Sequence, residues 1–60
     1  MKYEIDYIDP ITGATSPIDN VEAPKGYTAD DYIRGCRENA DQEWVDMIES
    51  GTVIVVELED

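Results

Sequence analysis

The sequence predicts a small α+β domain in which one helix covers one face of a three-stranded antiparallel sheet, in the element order ββαβ. Three patterns carry this prediction: apolar and polar residues alternate near the amino terminus, apolar residues recur at helical spacing in the middle, and β-branched residues follow near the end. We treat residues 1–60 as one domain, because a chain of 60 residues is too short to build two separate cores.

The first two strands are predicted at about 2–8 and 14–21. Side chains in the first alternate with the period of a half-buried strand, and the turn between the two contains Asp, Pro and Gly, which suit a hairpin. The second strand contains Pro17, which cannot donate a ladder hydrogen bond. We therefore expect this strand at an edge of the sheet, with Ile18 and Val21 as its apolar contributions.

A single helix is predicted from about 28 to 49. Thr28 and Asp31 have the spacing of a capping box, and Gly51 suits a left-handed cap after the last turn. Residues 39–41 include poor helix formers, which allow a kink or a break, but the apolar stripe continues across them and favours one helix. The stripe comprises Ala29, Ile33, Cys36, Ala40, Trp44 and Met47, flanked by Tyr32 and Ile48.

The third strand is predicted at about 52–58. A short connection after the helix lets it lie antiparallel to the first strand, which gives the sheet order 2-1-3. Its two faces differ little in polarity, with Ile54, Val56 and Leu58 on one and Val53, Val55 and Glu57 on the other. On the face opposite the helix we expect Glu4, Asp6 and Glu57, beside Val53 and Val55.

The chain is strongly acidic, with 15 acidic and 4 basic residues and a formal net charge of −11. Nucleic acids and anionic lipids are bound through Lys and Arg, so we expect no direct nucleic-acid binding and no membrane binding. A basic protein surface is the partner that this charge favours. The hydrophobic fraction of 42%, with clear periodicity, favours a folded chain over a disordered one.

Several kinds of chemistry lack the residues that they need. The chain has no histidine and one cysteine, Cys36, which excludes a Ser-His-Asp triad, a Cys/His zinc site and an intramolecular disulfide. The four glycines are isolated, so no phosphate-binding loop is present. Carboxylate pairs remain as a catalytic option, but so small a domain has little volume for a cleft. We expect no enzyme activity, no metal and no cofactor.

Localisation is predicted as cytoplasmic. The amino-terminal residues show no signal-peptide pattern, and no apolar run approaches the length of a membrane span. The single unpaired cysteine fits a reducing compartment. Cys36 itself lies on the apolar stripe, where the expected role is that of a small buried hydrophobe.

Two sets of residues are candidates for binding a partner. The first set, on the helix, comprises Glu38, Asp41, Asp46 and Glu49. The second set, on the sheet, comprises Glu4, Asp6, Glu57, Val53 and Val55. On the helix surface we expect ion pairs of Arg34 with Asp30 and Glu38, and of Arg37 with Asp41. Trp44 is expected in the core, with an interface role as the alternative, and Val45 points away from the stripe.

Two functions fit these patterns. The first is a non-enzymatic protein-interaction module that docks an acidic, partly apolar surface onto a partner with a basic surface, or onto a second copy in a homodimer. The second is an inhibitor that imitates nucleic acid, such as a mobile element encodes, in which carboxylates stand where phosphates would. Acidic surfaces also serve solubility, so the charge is not specific to a mimic, and we favour the interaction module with the mimic as the alternative.

Overall fold

A computed structural model describes residues 1–58 as a three-stranded sheet with two helices packed on one face. The elements are β1 (Lys2–Ile8), β2 (Thr15–Glu22), α1 (Ala29–Asn39), α2 (Gln42–Ser50) and β3 (Thr52–Glu57). The predicted α+β class and the three strands are confirmed. The prediction of one helix and of the order ββαβ is wrong, because the order is ββααβ. No helix within the described residues is long and apolar enough to cross a membrane.

The sheet is antiparallel with the order β2-β1-β3, as predicted. The register between β1 and β2 shifts after Ile5, which pairs with Asp19, whereas Asp6 pairs with Pro17. Ile18 is therefore the extra residue of a β-bulge. The position of Pro17 on an edge strand is confirmed, since its missing N–H weakens no interior ladder.

The helical segment breaks at Ala40 and Asp41, where one predicted helix becomes two. Both residues have extended backbone, with ψ values of 168° and 147°, and Asp41 is the N-cap of α2. Asn39 donates a side-chain hydrogen bond to the carbonyl of Gly35 at 3.2 Å. Asn and Asp compete for backbone groups in this way and are poor helix formers, which explains why α1 ends here.

The amino-terminal end of α1 is capped as predicted. Thr28 Oγ1 accepts a hydrogen bond from the Asp31 N–H at 3.3 Å, and Asp31 Oδ2 accepts one from the Thr28 N–H at 3.0 Å. These bonds, the Thr28 N–H first among them, hold the pKa of Asp31 below its ordinary value. The capping box therefore satisfies two backbone donors and fixes the point at which the chain enters the helical layer.

The break changes which helical residues face the sheet. Ile5, Tyr32 and Ile48 form the buried cluster at the centre of the core. Val45, expected to point away from the stripe, is buried with 4% of its surface exposed, whereas Ala40, expected on the stripe, is exposed. The two extended residues interrupt the helical periodicity of about 100° per residue. The residues of α2 that face the sheet therefore differ from those that one continuous helix would present.

Gly51 is required for close packing and not for a left-handed conformation. Its φ is −124°, so the predicted left-handed cap is wrong. A Cβ atom here would lie 2.5 Å from the carbonyl oxygen of Ile8 and 2.6 Å from the Tyr7 ring. The turn from α2 into β3 therefore passes directly against the end of β1. Gly13, in the turn between β1 and β2, by contrast has a positive φ of 74°.

Candidate interaction surface

The sheet register places two predicted partner-binding valines on the helix side of the sheet. Val55 pairs with Ile5 and Val53 pairs with Tyr7, and both valines pack against the core cluster. Glu57 pairs with Tyr3, which is buried on the same side. Directly opposed residues of antiparallel strands share a face. The expectation that these three residues lie beside Glu4 and Asp6 is therefore wrong.

The opposite side of the sheet carries a different set of apolar residues beside the carboxylates. Glu4 pairs with Val56 and Asp6 pairs with Ile54. Ile54 is 38% exposed and Val56 is 37% exposed, and the helices lie on the other side of the sheet. We call this surface the open face, and it comprises Lys2, Glu4, Asp6, Ile8, Ile54, Val56 and Leu58. It therefore combines uncovered apolar side chains with two neighbouring carboxylates.

Neither Glu4 nor Asp6 belongs to an ion pair among the described residues, although Lys2 lies on the same face of β1. Asp6 raises the pKa of Glu4, first through a side-chain hydrogen bond and then through charge repulsion. The Asp6 Oδ1 atom is buried and has no hydrogen-bond partner among residues 1–58. Ion pairs of the described residues lie on the helices instead, joining Arg34 to Asp31 and Arg37 to Glu49. The Glu4 carboxyl group therefore lies in a locally negative environment on the open face.

The helix carboxylates are more fully engaged than the sequence suggested. Arg37 binds Glu49, with distances of 2.7 Å from Nε and 2.5 Å from Nη2 to Oε1. This ion pair bridges the two helices and replaces the expected pair of Arg37 with Asp41. It also explains why an acidic residue is tolerated in the last turn of α2, where the helix dipole disfavours negative charge.

The other helix candidates share no common site. Asp46 accepts a hydrogen bond from Gln42 Nε2 at 2.8 Å. Asp41 is the N-cap of α2 without a side-chain capping bond, and Glu38 is exposed near the end of α1. Arg34 pairs with Asp31 at 3.4 Å and not with the residues four positions away, Asp30 and Glu38. Two of the four predicted helix carboxylates, Asp46 and Glu49, are therefore held by neighbours.

A hydrogen-bond chain ties the helical layer to the edge strand β2. Trp44 Nε1 donates to the Tyr32 hydroxyl oxygen at 3.3 Å, and the Tyr32 hydroxyl donates to Asp19 Oδ2 at 3.0 Å. Burial is the main cause that raises the pKa of Tyr32, so the hydroxyl keeps its proton as a donor. Trp44 is partly buried and packs against the core, in agreement with the core role expected for it.

Small-molecule and metal sites have little support in the described part of the chain. Open depressions with volumes of 330, 420 and 250 Å³ lie at one end of the sheet and on both sides of Tyr27. Cys36 is partly buried, packs against the core and lines the smallest of these depressions. No group of three or more potential metal ligands forms a cluster within residues 1–58.

Comparison with known proteins gave no relative: no family model, no curated protein and no solved structure matches this chain. We therefore base the functional proposal on the surface geometry described above.

Proposed function

We propose that this protein is a non-enzymatic, cytoplasmic interaction module that binds a partner protein through the open face of its sheet. One observation carries the proposal. The helices cover one face of the sheet, whereas the other leaves Ile54 and Val56 exposed beside the carboxylates of Glu4 and Asp6. The cytoplasmic part of the proposal depends on the single unpaired Cys36.

The apolar residues supply a favourable free energy of docking. Burial of apolar surface contributes about 25 cal/mol per Å², so covering a β-branched side chain that is more than a third exposed is favourable. Ile54 and Val56 lie on the edge strand β3, next to Leu58, and Ile54 is the diagonal neighbour of Ile8, which pairs with Thr52. A partner that covers this row buries apolar surface which the domain's own helices cannot reach.

The carboxylates supply selectivity for a basic partner. Glu4 and Asp6 repel each other, and a Lys or Arg side chain from a partner would replace that repulsion with attraction. The net charge of −11 would also accelerate the approach of a basic surface and disfavour an acidic one. These charges therefore favour a partner that presents basic and apolar groups together.

The alternative, a mimic of nucleic acid that uses the helix carboxylates, has weaker support. Mimicry requires carboxylates that are free to meet a basic groove. Glu49 is ion-paired with Arg37, and Asp46 is hydrogen-bonded to Gln42. We therefore favour the open face.

The proposal is tested by capturing partners from a lysate of the source cells with three tagged proteins. These are the wild type, the double variant Ile54→Thr with Val56→Thr, and the control Ile11→Thr, which changes a loop side chain that is 92% exposed. We expect a partner that the wild type and the control retain and the double variant loses, with direct binding of the purified partner confirming it. Equal retention by all three proteins would contradict the role of the open face.

A second double variant distinguishes our proposal from the nucleic-acid mimic. Changing Glu38→Lys with Asp41→Lys reverses two exposed charges on the helical side. A nucleic-acid mimic would lose its partner on this change, and would lose it at high salt in the wild type as well. Under our proposal this helix variant keeps its partner.

A further inference from the structure

The two edges of the sheet are protected to very different degrees. The β2 edge contains Pro17 and the bulge at Ile18, both of which interrupt the regular pairing that a further strand needs. The β3 edge contains no proline, pairs with β1 without a register shift, and has no charged residue before Glu57. Long β-branched strands without such protection are the usual places where another chain pairs with a sheet.

The hydrogen-bonding groups on the β3 edge are identified by its pairing with β1. The Leu58 N–H donates to the Lys2 carbonyl at 2.9 Å, so Leu58 and every second residue before it, Val56 and Ile54, bond to β1. In an antiparallel ladder the intervening residues direct their N–H and C=O groups the other way. The backbone groups of Val53, Val55 and Glu57 therefore point to the free edge.

The open face lies directly beside this edge. Ile54 and Val56 are on β3 itself, and Glu4 and Asp6 lie one strand further in. A strand added beside β3 would run about 4.8 Å from it and roughly 10 Å from β1. A Lys or Arg side chain on the added strand has an apolar stem that can lie across Ile54 or Val56 and a charged end that reaches the carboxylates.

We propose, on the basis of the function above, that the partner supplies an extended segment with basic side chains at alternate positions, which adds as a fourth strand beside β3. Main-chain bonds to Val53, Val55 and Glu57 provide the attachment. The alternating basic residues meet Glu4 and Asp6, neither of which is ion-paired among the described residues. A second copy of this chain is disfavoured as the occupant, because each copy carries a charge of −11.

The first test uses synthetic peptides and backbone hydrogen exchange followed by NMR. The probe is a capped peptide of alternating lysine and valine. One control replaces its central valine with proline, which cannot complete a strand, and the other replaces every lysine with glutamate. We expect the probe alone to slow exchange of the Val53, Val55 and Glu57 amides. Equal binding of the proline peptide, or binding without slower exchange at these amides, would overturn strand addition.

The second test uses charge variants matched for net charge. Glu4→Gln with Asp6→Asn removes two charges from the open face, and Glu38→Gln with Asp41→Asn removes two from the helices. We expect the first variant to bind the alternating peptide about tenfold more weakly, and the second to change its Kd by less than about twofold. Equal effects would show that only the total charge matters, and would contradict the proposed contact.

Strand addition depends on the proposed function, and the two can fail separately. If the partner captured from the lysate depends on Ile54 and Val56 but leaves the Val53 and Val55 amides unprotected, the open face binds and strand addition is wrong. A different result is that the free protein is a dimer by sedimentation equilibrium, with the Val53 and Val55 amides already protected from exchange. In that case a second copy occupies the edge, and the proposed basic segment is wrong.

Discussion

Tyr32 on α1 donates its hydroxyl proton to the carboxylate of Asp19 on β2 at 3.0 Å. This bond joins the helical layer to an edge strand of which Ile18 and Val21 pack against the core. The same hydroxyl oxygen accepts a hydrogen bond from Trp44 Nε1 on α2. One buried phenol therefore holds both helices and an edge strand together.

Replacing Tyr32 by Phe should destabilise the domain. The change removes a hydrogen bond to a charged acceptor and leaves Trp44 without its acceptor, at a cost of about 1.5–3 kcal/mol. Urea unfolding followed by Trp44 fluorescence measures the loss. The control is Tyr7→Phe, which removes an exposed neutral hydrogen bond to Ser50 and should cost less. Equal losses in the two variants would contradict the coupling described here.

Stability should fall at alkaline pH, and Tyr32 should account for part of the fall. Burial raises the pKa of Tyr32 above its ordinary value of 10.0, which it recovers on unfolding. The unfolded state therefore loses this proton first, and stability decreases as the pH rises above about 10. Tyr27, whose pKa burial also raises, contributes in the same direction. Unfolding free energies between pH 8 and pH 11 should decline less steeply in Tyr32→Phe than in the wild type.

Two glycine-to-alanine substitutions should have opposite effects. In Gly51→Ala the new Cβ meets the Ile8 carbonyl oxygen at 2.5 Å, and such crowding costs about 1–3 kcal/mol. In Gly35→Ala the new Cβ meets no atom within 4 Å. Because alanine favours the helical conformation of α1 more than glycine does, this variant should be more stable by about 0.5–1 kcal/mol. Thermal unfolding by circular dichroism compares them. A stable Gly51→Ala protein would show that the turn into β3 can move away from β1.

Removing one carboxylate from the open face should raise stability while it weakens partner binding. In Glu4→Gln the repulsion from Asp6 disappears, so the variant should be more stable than the wild type at neutral pH. A hydrogen bond with Asp6, and then repulsion from it, raise the Glu4 pKa in the folded state. Protonation of Glu4 relieves the repulsion in the wild type, so the difference should vanish as the pH falls through that pKa. Chemical unfolding at pH 7 and at pH 3 tests both statements. A variant that is less stable at neutral pH would contradict the repulsive pair.

The sequence was informative where local chemistry decides the structure. Alternation in β1, the capping box at Thr28 and the edge position of Pro17 each depend on a few neighbouring residues. The face of β3 was not predictable in this way, because residues 53–56 are all apolar and either face suits a core. Pairing with β1 selects the face, and that pairing joins residues about 50 positions apart.

The helix break and the candidate surface were missed for related reasons. An apolar stripe that continues through Ala40 outweighed the poor helix formers on either side of it, yet two extended residues were enough to start a new helix. The ion pair between Arg37 and Glu49 spans that break and follows no helical spacing. The open face required the β3 register, so its apolar members Ile54 and Val56 were placed on the wrong side.

The unprotected β3 edge also affects the solubility of this protein. Four consecutive β-branched residues, Val53–Val56, form the kind of segment that stacks into fibrils when nothing opposes it. The excess of carboxylates opposes it at neutral pH by keeping molecules apart. Acid that protonates these carboxylates removes the opposition while the edge persists. Charge repulsion between the acidic surfaces therefore opposes aggregation, and we expect the protein to aggregate as the pH approaches its isoelectric point of about 4.1.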